Sequence, residues 1–511
     1  MNQKWFRPLL QRRFWVIFLL FLQLGVIVYT AINSSLASQL ISGGLNLLSV
    51  LVCLYIVSHG GTGGYKLIWI FMILMFPVFG GLLYLLIACQ STTRTFSRNS
   101  ARTEAKARPV LQFPGSAMEQ LLEGCPNQSA QANYLEKYAG FPVYDQTQTA
   151  YLSPGEEKLS ALLEELQKAQ RYIFLEYFII QEGVMWNRIL EVLKEKAAQG
   201  VTVRVLYDDL GCFLKLPKDY DRQLADLGIQ CRVFNRLKPV LASMQNNRDH
   251  RKIAVIDGKV AFTGGINLAD EYINAIERFG HWKDASVLVR GKAAWSMTVM
   301  FLQMWELTTG SDEDYGQYYP WVTENCPVET KGFVQPYADS PMDRENVGEQ
   351  VYLQMIHHAR EYVYINTPYL IIDESMISAL CLAAKSGVDV RIVTPHKWDK
   401  RLVHMTTRSY YRDLMAAGVR IYEYSKGFIH SKTFVSDDVT ATVGSANLDY
   451  RSLYLSFESG VLMYQTDAVL QVKEDFLNTL EQCQQIQPQE FQFGPIKRLF
   501  QDVLRLFAPL M

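Results

Sequence analysis

The sequence predicts an α/β protein: two pseudo-twofold related halves, each a mixed β-sheet flanked by helices, behind an all-α transmembrane N-terminus. Three observations carry this prediction. Apolar runs fill the first 90 residues. An ordered series of strand and helix patterns occurs twice after residue 130. Each series ends in the same His-x-Lys-x4-Asp motif. With 511 residues the chain can bury several cores. The expected divisions are 1–90 (transmembrane), 91–130 (a basic juxtamembrane linker), 131–320 and 321–490 (the two halves), and 491–511 (a C-terminal amphipathic helix).

The first apolar run, Phe14–Ile32, is interrupted only by Gln23 and Thr30. Residues 45–57 form a second run with a weaker flank before it, and residues 67–89 a third, containing Pro77, Gly80 and Gly81. A bilayer core takes about 20 helical residues, so spans are expected near 14–32, 36–58 and 67–89. A cleaved signal peptide is disfavoured by the length of the first run, by the absence of a small-x-small site, and by the two runs that follow. No acid precedes Glu104, and basic residues bracket the runs: Lys4, Arg7, Arg12 and Arg13 before, Arg94, Arg98 and Arg102 after. Two basic flanks suit an even number of crossings, whereas three spans give an odd one. The side of the membrane that carries the rest of the chain therefore stays open. The glycine cluster at 60–64 lacks the preceding strand and the Gly-Lys-Ser/Thr of a phosphate-binding loop.

After a polar segment come the repeats. Strand-like RYIFLEYFII from Arg171 matches EYVYINTPYLI from Glu361. A helical stretch ends at Gly200 in one copy and Gly387 in the other, and β-branched strands follow from Val201 and Val388. A second helix leads to LGIQCRVF near Leu227 and AGVRIYEY near Ala417.

The motifs close each copy. His250 and Lys252 precede Asp257 and Asn267; His430 and Lys432 precede Asp437 and Asn447. Both Asn residues lie fifteen positions after their Lys. On a strand, residues i and i+2 share a face, so each His projects with its Lys. Asp257-Gly258 signals a hairpin that brings the Asn back beside them. Asp257 and Asp437 then sit at turns and buttress the hairpins without touching substrate. Two imidazoles, two ammonium groups and two amides suit phosphodiester transfer. The cations and amides hold the phosphoryl oxygens without a metal, one His attacks phosphorus, and the other passes a proton. A lone His-x-Lys would be an ordinary surface strand; the duplication and the shared Asn offset argue against that. Metal binding is disfavoured, because Lys stands where a second ligand would. Asp284 and Glu458, each opening a strand after a motif, are candidates to orient the imidazoles. None of the eight cysteines forms a CxxC pair.

The paired HxKx4D motifs with trailing GGIN and GSAN resemble the phospholipase D superfamily. Nearly the whole chain is similar to bacterial cardiolipin synthases, through YKLIWIFMILMFPVFGGLLYLL, NNRDHRKIAVIDGKVAFTGGINLADEY, NTPYLIID and IHSKTFVSDDVTATVGSANLDYRSLYLSFE. The resemblance implies that two phosphatidylglycerols become cardiolipin and glycerol in the cell membrane, with no cofactor and no obligate protein partner. It implies that His250 is the nucleophile and His430 the general acid and then base, with Lys252, Lys432, Asn267 and Asn447 on the phosphate. Trapping of the phosphatidyl group on His430 would reverse the two roles.

Water as acceptor would give a phospholipase D, and other alcohols other lipids. A net charge of -1 disfavours nucleic acid, and complete motifs disfavour a non-catalytic scaffold. The C-terminal stretch, with Ile496, Leu499, Phe500 and Val503 at helical spacing, reads either as a helix in the membrane interface or as one packed on the catalytic region.

Overall fold

The computed structural model describes residues 12–33, 35–60, 63–88, 91–112, 117–238, 243–320, 330–343, 345–491 and 494–511. Lys4, Arg7, Cys89, Cys326 and part of the 60–64 glycine cluster lie outside the described residues, as do the side chains of Arg12, Arg13 and Lys497. The chain forms two units. One comprises residues 1–98, 237–247 and 502–511, the other 99–236 and 248–501.

The first unit is helical. α1 (Arg12–Ile32) and α2 (Leu36–Ser58) are followed by α3 (Gly63–Met75) and α4 (Pro77–Ala88). Among the described residues only α1, over Phe14–Ile32, and α2 are long and apolar enough to cross a membrane. The run at 67–89, expected as one span, is broken into two helices. Pro77 opens α4, where its missing N–H costs nothing, and the chain turns back there. Trp69 of α3 lies against Tyr84 of α4 with ring centroids 5.3 Å apart. Gly80 sits so close to the α3 backbone that a Cβ would stand 2.8 Å from Ile73 Cα. The free amides of Val78 and Phe79 at the start of α4 donate to Gln23 Oε1 at 3.0 and 3.1 Å. Ser49 Oγ of α2 donates to Pro77 O at 3.4 Å. In the chain's last residues, Phe507 packs edge-on against Phe71 of α3 at 6.1 Å.

Residues 91–130, read as a basic juxtamembrane linker, are largely helical where described: α5 (Ser91–Leu111), α6 (Ala117–Gly124) and the start of α7 (Ser129–Tyr134). Tertiary contacts replace the missing apolar periodicity. Lys106 pairs with Glu306 at 2.9 Å, and Trp295 Nε1 donates to Val110 O at 3.1 Å.

The first half then runs β1 (Thr147–Leu152), α8 (Gly155–Lys168), β2 (Tyr172–Tyr177), α9 (Val184–Ala198), β3 (Thr202–Asp208), α10 (Asp209–Cys212), α11 (Tyr220–Asp226) and β4 (Gln230–Phe234). It continues through β5 (Arg248–Asp249), β6 (Lys252–Ile256), β7 (Val260–Gly264), β8 (His281–Lys283), β9 (Ser286–Gly291) and α12 (Ala294–Thr309). The second half runs β10 (Phe333–Asp339), α13 (Val347–His358), β11 (Tyr362–Asn366), β12 (Leu370–Ile371), α14 (Glu374–Lys385), β13 (Asp389–Pro395), α15 (Arg401–Ala416) and β14 (Arg420–Tyr424). It closes with β15 (Gly427–Ile429), β16 (Thr433–Ser436), β17 (Thr440–Gly444), β18 (Leu448–Asp449), α16 (Tyr450–Leu455), β19 (Ser456–Tyr464), α17 (Asp467–Leu480) and β20 (Cys483–Gln485), and α18 (Pro495–Leu506) ends the chain.

The two main sheets have matching orders, β1-β9-β7-β6-β2-β3-β4 and β10-β19-β17-β16-β11-β13-β14, with β20 on the second sheet's edge. β2, β3 and β4 are parallel, as are β11, β13 and β14, and the motif hairpins β6–β7 and β16–β17 run antiparallel beside them. The repeat expected from the sequence is therefore a repeat of whole sheets. Helices such as α9, whose Trp186, Ile189 and Leu193 are fully buried, cover their faces.

Candidate active site

Two short strand pairs stitch the halves together. β5, just before His250, pairs in parallel with β19 of the second half; β15, just before His430, pairs in parallel with β8 of the first. His250 N donates to Phe457 O at 3.0 Å, and His430 N to Lys283 O at 2.7 Å. Each motif histidine thus hangs on a strand of the opposite half.

The carboxylates follow the same exchange. His250 Nδ1 lies 2.9 and 3.0 Å from the two oxygens of Glu458, and His430 Nδ1 lies 2.7 Å from Asp284 Oδ2. Both acids named from the sequence stand at an imidazole, but each serves the histidine of the other half. Asp284 is fully buried and Glu458 is 1 % exposed, whereas the imidazoles keep 16 % and 10 % of their surface open. The edge of each ring away from its acid is therefore the accessible one. Phe178 walls His250 at 4.9 Å, and Trp282 and Tyr272 wall His430 at 5.4 and 5.8 Å.

Lys252 and Lys432 are buried and each donates to the carbonyl of its own histidine. Lys432 Nζ also lies 2.7 Å from His430 Nδ1. That nitrogen gives its one proton to Asp284 and has no lone pair left, so the lysine acts on it as a charge. Asn267 accepts from Ile179 N at 3.0 Å and donates to Tyr272 OH at 2.7 Å. Asn447 donates to Asp449 at 3.1 Å, and its Oδ1 is buried without a hydrogen-bond partner.

Asp257 and Asp437 are not brought to the imidazoles. Both have left-handed backbone at the hairpin turns, φ 54° in each case. Asp257 accepts from the amides of Gln170, Arg171 and Tyr172 at 2.8 Å each. Asp437 accepts from Arg360, Glu361 and Tyr362 at 2.7 to 3.0 Å. Their place in the motif is a fastening between the hairpin and the start of β2 or β11.

Residues not singled out from the sequence complete the site. Ser445, two before Asn447, donates to Glu458. Gly265 holds the matching position, where a Cβ would fall 2.0 Å from Asp284 Oδ1. Arg248 grips Asp208 at 2.8 to 3.1 Å, and Arg251 grips Glu176 at 2.6 Å, on either side of His250. Glu176 and Asp249 each keep a buried oxygen without a partner. Burial raises both carboxyls, Glu176 well above the usual range, and each is within reach of the other and of Arg251. Part of the sequence signal was present: Glu176 is the one charged residue in the otherwise apolar strand β2, Tyr172–Tyr177.

Electrostatics set the protonation states. Burial pushes His250 down to about 4 against the pull of Glu458, and His430 down to about 4, helped by Lys432 and opposed by Asp284. Burial lowers Lys252 to about 7 and Lys432 to about 8. Burial works against the Glu458 charge, but His250 and Lys252 beside it hold the carboxyl below its ordinary value. At neutral pH the imidazoles are uncharged, with Nδ1–H on a carboxylate and a lone pair on Nε2 facing the opening.

The description "Cardiolipin synthase, PLD-like domain" belongs to the family that matches residues 162–305 and 352–480, and "Phospholipase_D-nuclease N-terminal" to one matching 44–88. A cardiolipin synthase of Geobacillus thermodenitrificans is 37% identical over 447 residues, 87% of this chain and 88% of that protein. Cardiolipin synthase 2 of Bacillus anthracis is 35% identical over 87% of this chain and 86% of its own length. The crystal structure of the phosphatidylserine synthase of Haemophilus influenzae superposes with a TM-score of 0.55 at 15% identity, covering 71% of this chain and 95% of that one; it shares the fold. With both sheets, both motifs and most of its length accounted for, the chain belongs to the cardiolipin synthase family of phospholipase D-like phosphatidyltransferases.

Proposed function

We propose that this cardiolipin synthase joins two phosphatidylglycerols through a phosphatidyl-histidine on His250. The exchange of carboxylates between the halves carries the reading, because it gives one opening two oriented imidazoles. Nε2 of neutral His250 attacks the phosphorus of the first lipid; the P–N bond forms and the P–O bond to glycerol breaks. Lys252 and Lys432 take the charge on the phosphoryl oxygens, and Asn267 and Asn447 help to hold them. Pairing the lysines with the anion removes their repulsion on His430, which raises its proton affinity. With that repulsion gone, His430 takes up a proton from water on Nε2 and passes it to the departing glycerol oxygen. In the second step His430 takes the proton from the hydroxyl of another phosphatidylglycerol, whose oxygen attacks phosphorus. The P–N bond breaks and cardiolipin leaves. Asp257 and Asp437 act through the hairpins alone.

The test is a lipid assay on the full chain in phosphatidylglycerol vesicles. The wild type is expected to yield cardiolipin and glycerol, and His250→Ala and His430→Ala to lose both products. Phosphatidic acid as the main product would make water the acceptor and overturn the synthase reading.

The same reading extends to the membrane. α1 and α2 cross the bilayer, and α3–α4 enters as a hairpin and returns. With 13 and 12 residues, these helices reach about 20 Å at most, against a hydrocarbon core of about 30 Å. The hairpin's apex meets Gln23, the central residue of Phe14–Ile32, and Ser49 within α2, so it lies at mid-depth. Gln23 supplies the acceptor that apolar surroundings deny to the amides of Val78 and Phe79. The crossings are then even in number, and both basic flanks share one side. The turn between the spans, 33–35, carries no charge, which puts the basic side in the cytoplasm.

A further inference from the structure

The catalytic unit carries two exposed apolar lips, one beside each histidine. The first follows β3. α10 packs on Phe178, the ring that walls His250: a Cβ on Gly211 would stand 1.9 Å from Phe178 O, and Cys212 Sγ lies 3.6 Å from the same oxygen. From this anchored turn Leu210, Phe213 and Leu214 project with 42, 61 and 90 % of their surface open, and Leu214 is the most exposed large hydrophobic side chain among the described residues. The second lip follows β13, the equivalent strand of the other half. Asp399 accepts from Tyr369 OH at 2.6 Å, and its charge acts on Lys432 in the site. Beside it Trp398 and Leu402 are 53 and 55 % open. Cations accompany the apolar residues: Lys218 is exposed on the first lip, beside Lys215, which pairs with Glu271 at 3.5 Å, and the second carries Lys397, Arg401 and Lys400, the last 3.8 Å from Asp399. Elsewhere in the halves, exposed large apolar residues such as Leu382 and Leu470 stand singly, which is ordinary for a protein surface.

We propose that these two lips, 210–218 and 397–402, dock on the headgroup layer of an anionic phospholipid bilayer and hold the mouth of the site against it. A bilayer matches both parts of the pattern. Leucine, phenylalanine and tryptophan insert at the headgroup level, and the cations beside them meet lipid phosphates. A water-facing rim would have no use for Leu214. The pseudo-twofold relation presents one lip on each side of the opening, so a lipid whose chains stay in the bilayer can raise its headgroup between them. The proposal rests on the lipid-transfer reading for its purpose, but its first test is independent of activity.

In that test nitroxides replace Leu214 and Trp398, one at a time, in the full chain held in nanodiscs of phosphatidylglycerol and phosphatidylcholine, with Leu382 and Leu470 as reference sites. Labels on the lips are expected to be relaxed by lipid-dissolved oxygen and shielded from an aqueous nickel chelate, and the reference labels the reverse. Lip labels that behave like the reference sites would overturn the proposal. Shielding from both agents would put a protein on the rim and overturn it equally. In a second arm, Phe213→Ser/Leu214→Ser is expected to raise the KM for bilayer phosphatidylglycerol about tenfold, the size of one or two lost apolar contacts. Turnover of dissolved dibutyroyl-phosphatidylglycerol, supplied to phosphatidylcholine nanodiscs, is expected to stay unchanged. Equal losses on both substrates would mean damage to the site and overturn the docking role. Absence of synthase activity in the wild type would sink the transfer reading and leave the nitroxide result to judge the lips.

Discussion

At the residue scale, the proposed chemistry depends on four buried groups, two lysines and two imidazoles, whose charge burial suppresses. Lys252 and Lys432 must be protonated to hold a phosphate, and burial brings their loss of charge down to about 7 and about 8. In the proposed mechanism His250 attacks as the neutral ring, and it is neutral above about 4. Because kcat/KM reports the free enzyme, its profile is expected to rise as pH climbs through about 4 and to fall as pH climbs through 7 to 8. An alkaline limb appearing only at the ordinary lysine value, about 10.4, would show that the lysines are not buried as described. Much of this was legible locally: alternation along a strand put His and Lys on one face, and Asp257-Gly258 marked a turn. The pairing of His250 with Glu458 was not, because it joins residues 208 apart. No local pattern encodes which carboxylate crosses to which ring.

Among the elements, the third apolar run shows where periodicity stops informing. Residues 67–89 are apolar throughout, and Pro77 alone hinted at a break; membrane helices often tolerate a proline, since neighbours satisfy the freed groups. What decided the outcome was distant. Gln23 accepts both amides at the start of α4, and Gly80 lets the two helices close. Single cysteines in an otherwise cysteine-free full chain test the hairpin. Gly60→Cys and Gln112→Cys are expected to react with an impermeant maleimide from one side of the membrane, and Asn33→Cys from the other. Reaction of Gly60→Cys and Gln112→Cys from opposite faces would mean a full third crossing. The helix α5 escaped notice for a related reason: its buried face is made of small and polar residues, Ser100, Thr103 and Ala107, with only Leu111 large and apolar, and Lys106–Glu306 helps to fasten it.

For the whole molecule, the duplication was the most legible feature. Strand, helix, glycine and strand recurred in order, and the sheets recur in the same order. The stitching of the halves by β5–β19 and β15–β8 could not be foreseen, since strands of two or three residues leave almost no pattern. Its functional meaning is that one chain holds one complete site. Mixing His250→Ala chains with His430→Ala chains in the same vesicles is therefore expected to restore no cardiolipin synthesis. Recovery toward a quarter of the wild-type rate would require sites shared between chains.

The two imidazole–carboxylate pairs are not copies. One uses Glu458 with Ser445 behind it, the other Asp284 against the bare backbone of Gly265. Two identical subunits around a true twofold would be obliged to carry the same acid and the same neighbour at both places, so any change that improved an attacking ring would be imposed on the proton-passing ring as well. Writing both halves into a single gene removes that obligation: the two rings can be tuned separately, as the proposed attacker and proton carrier require, and the symmetry remains as scaffolding only.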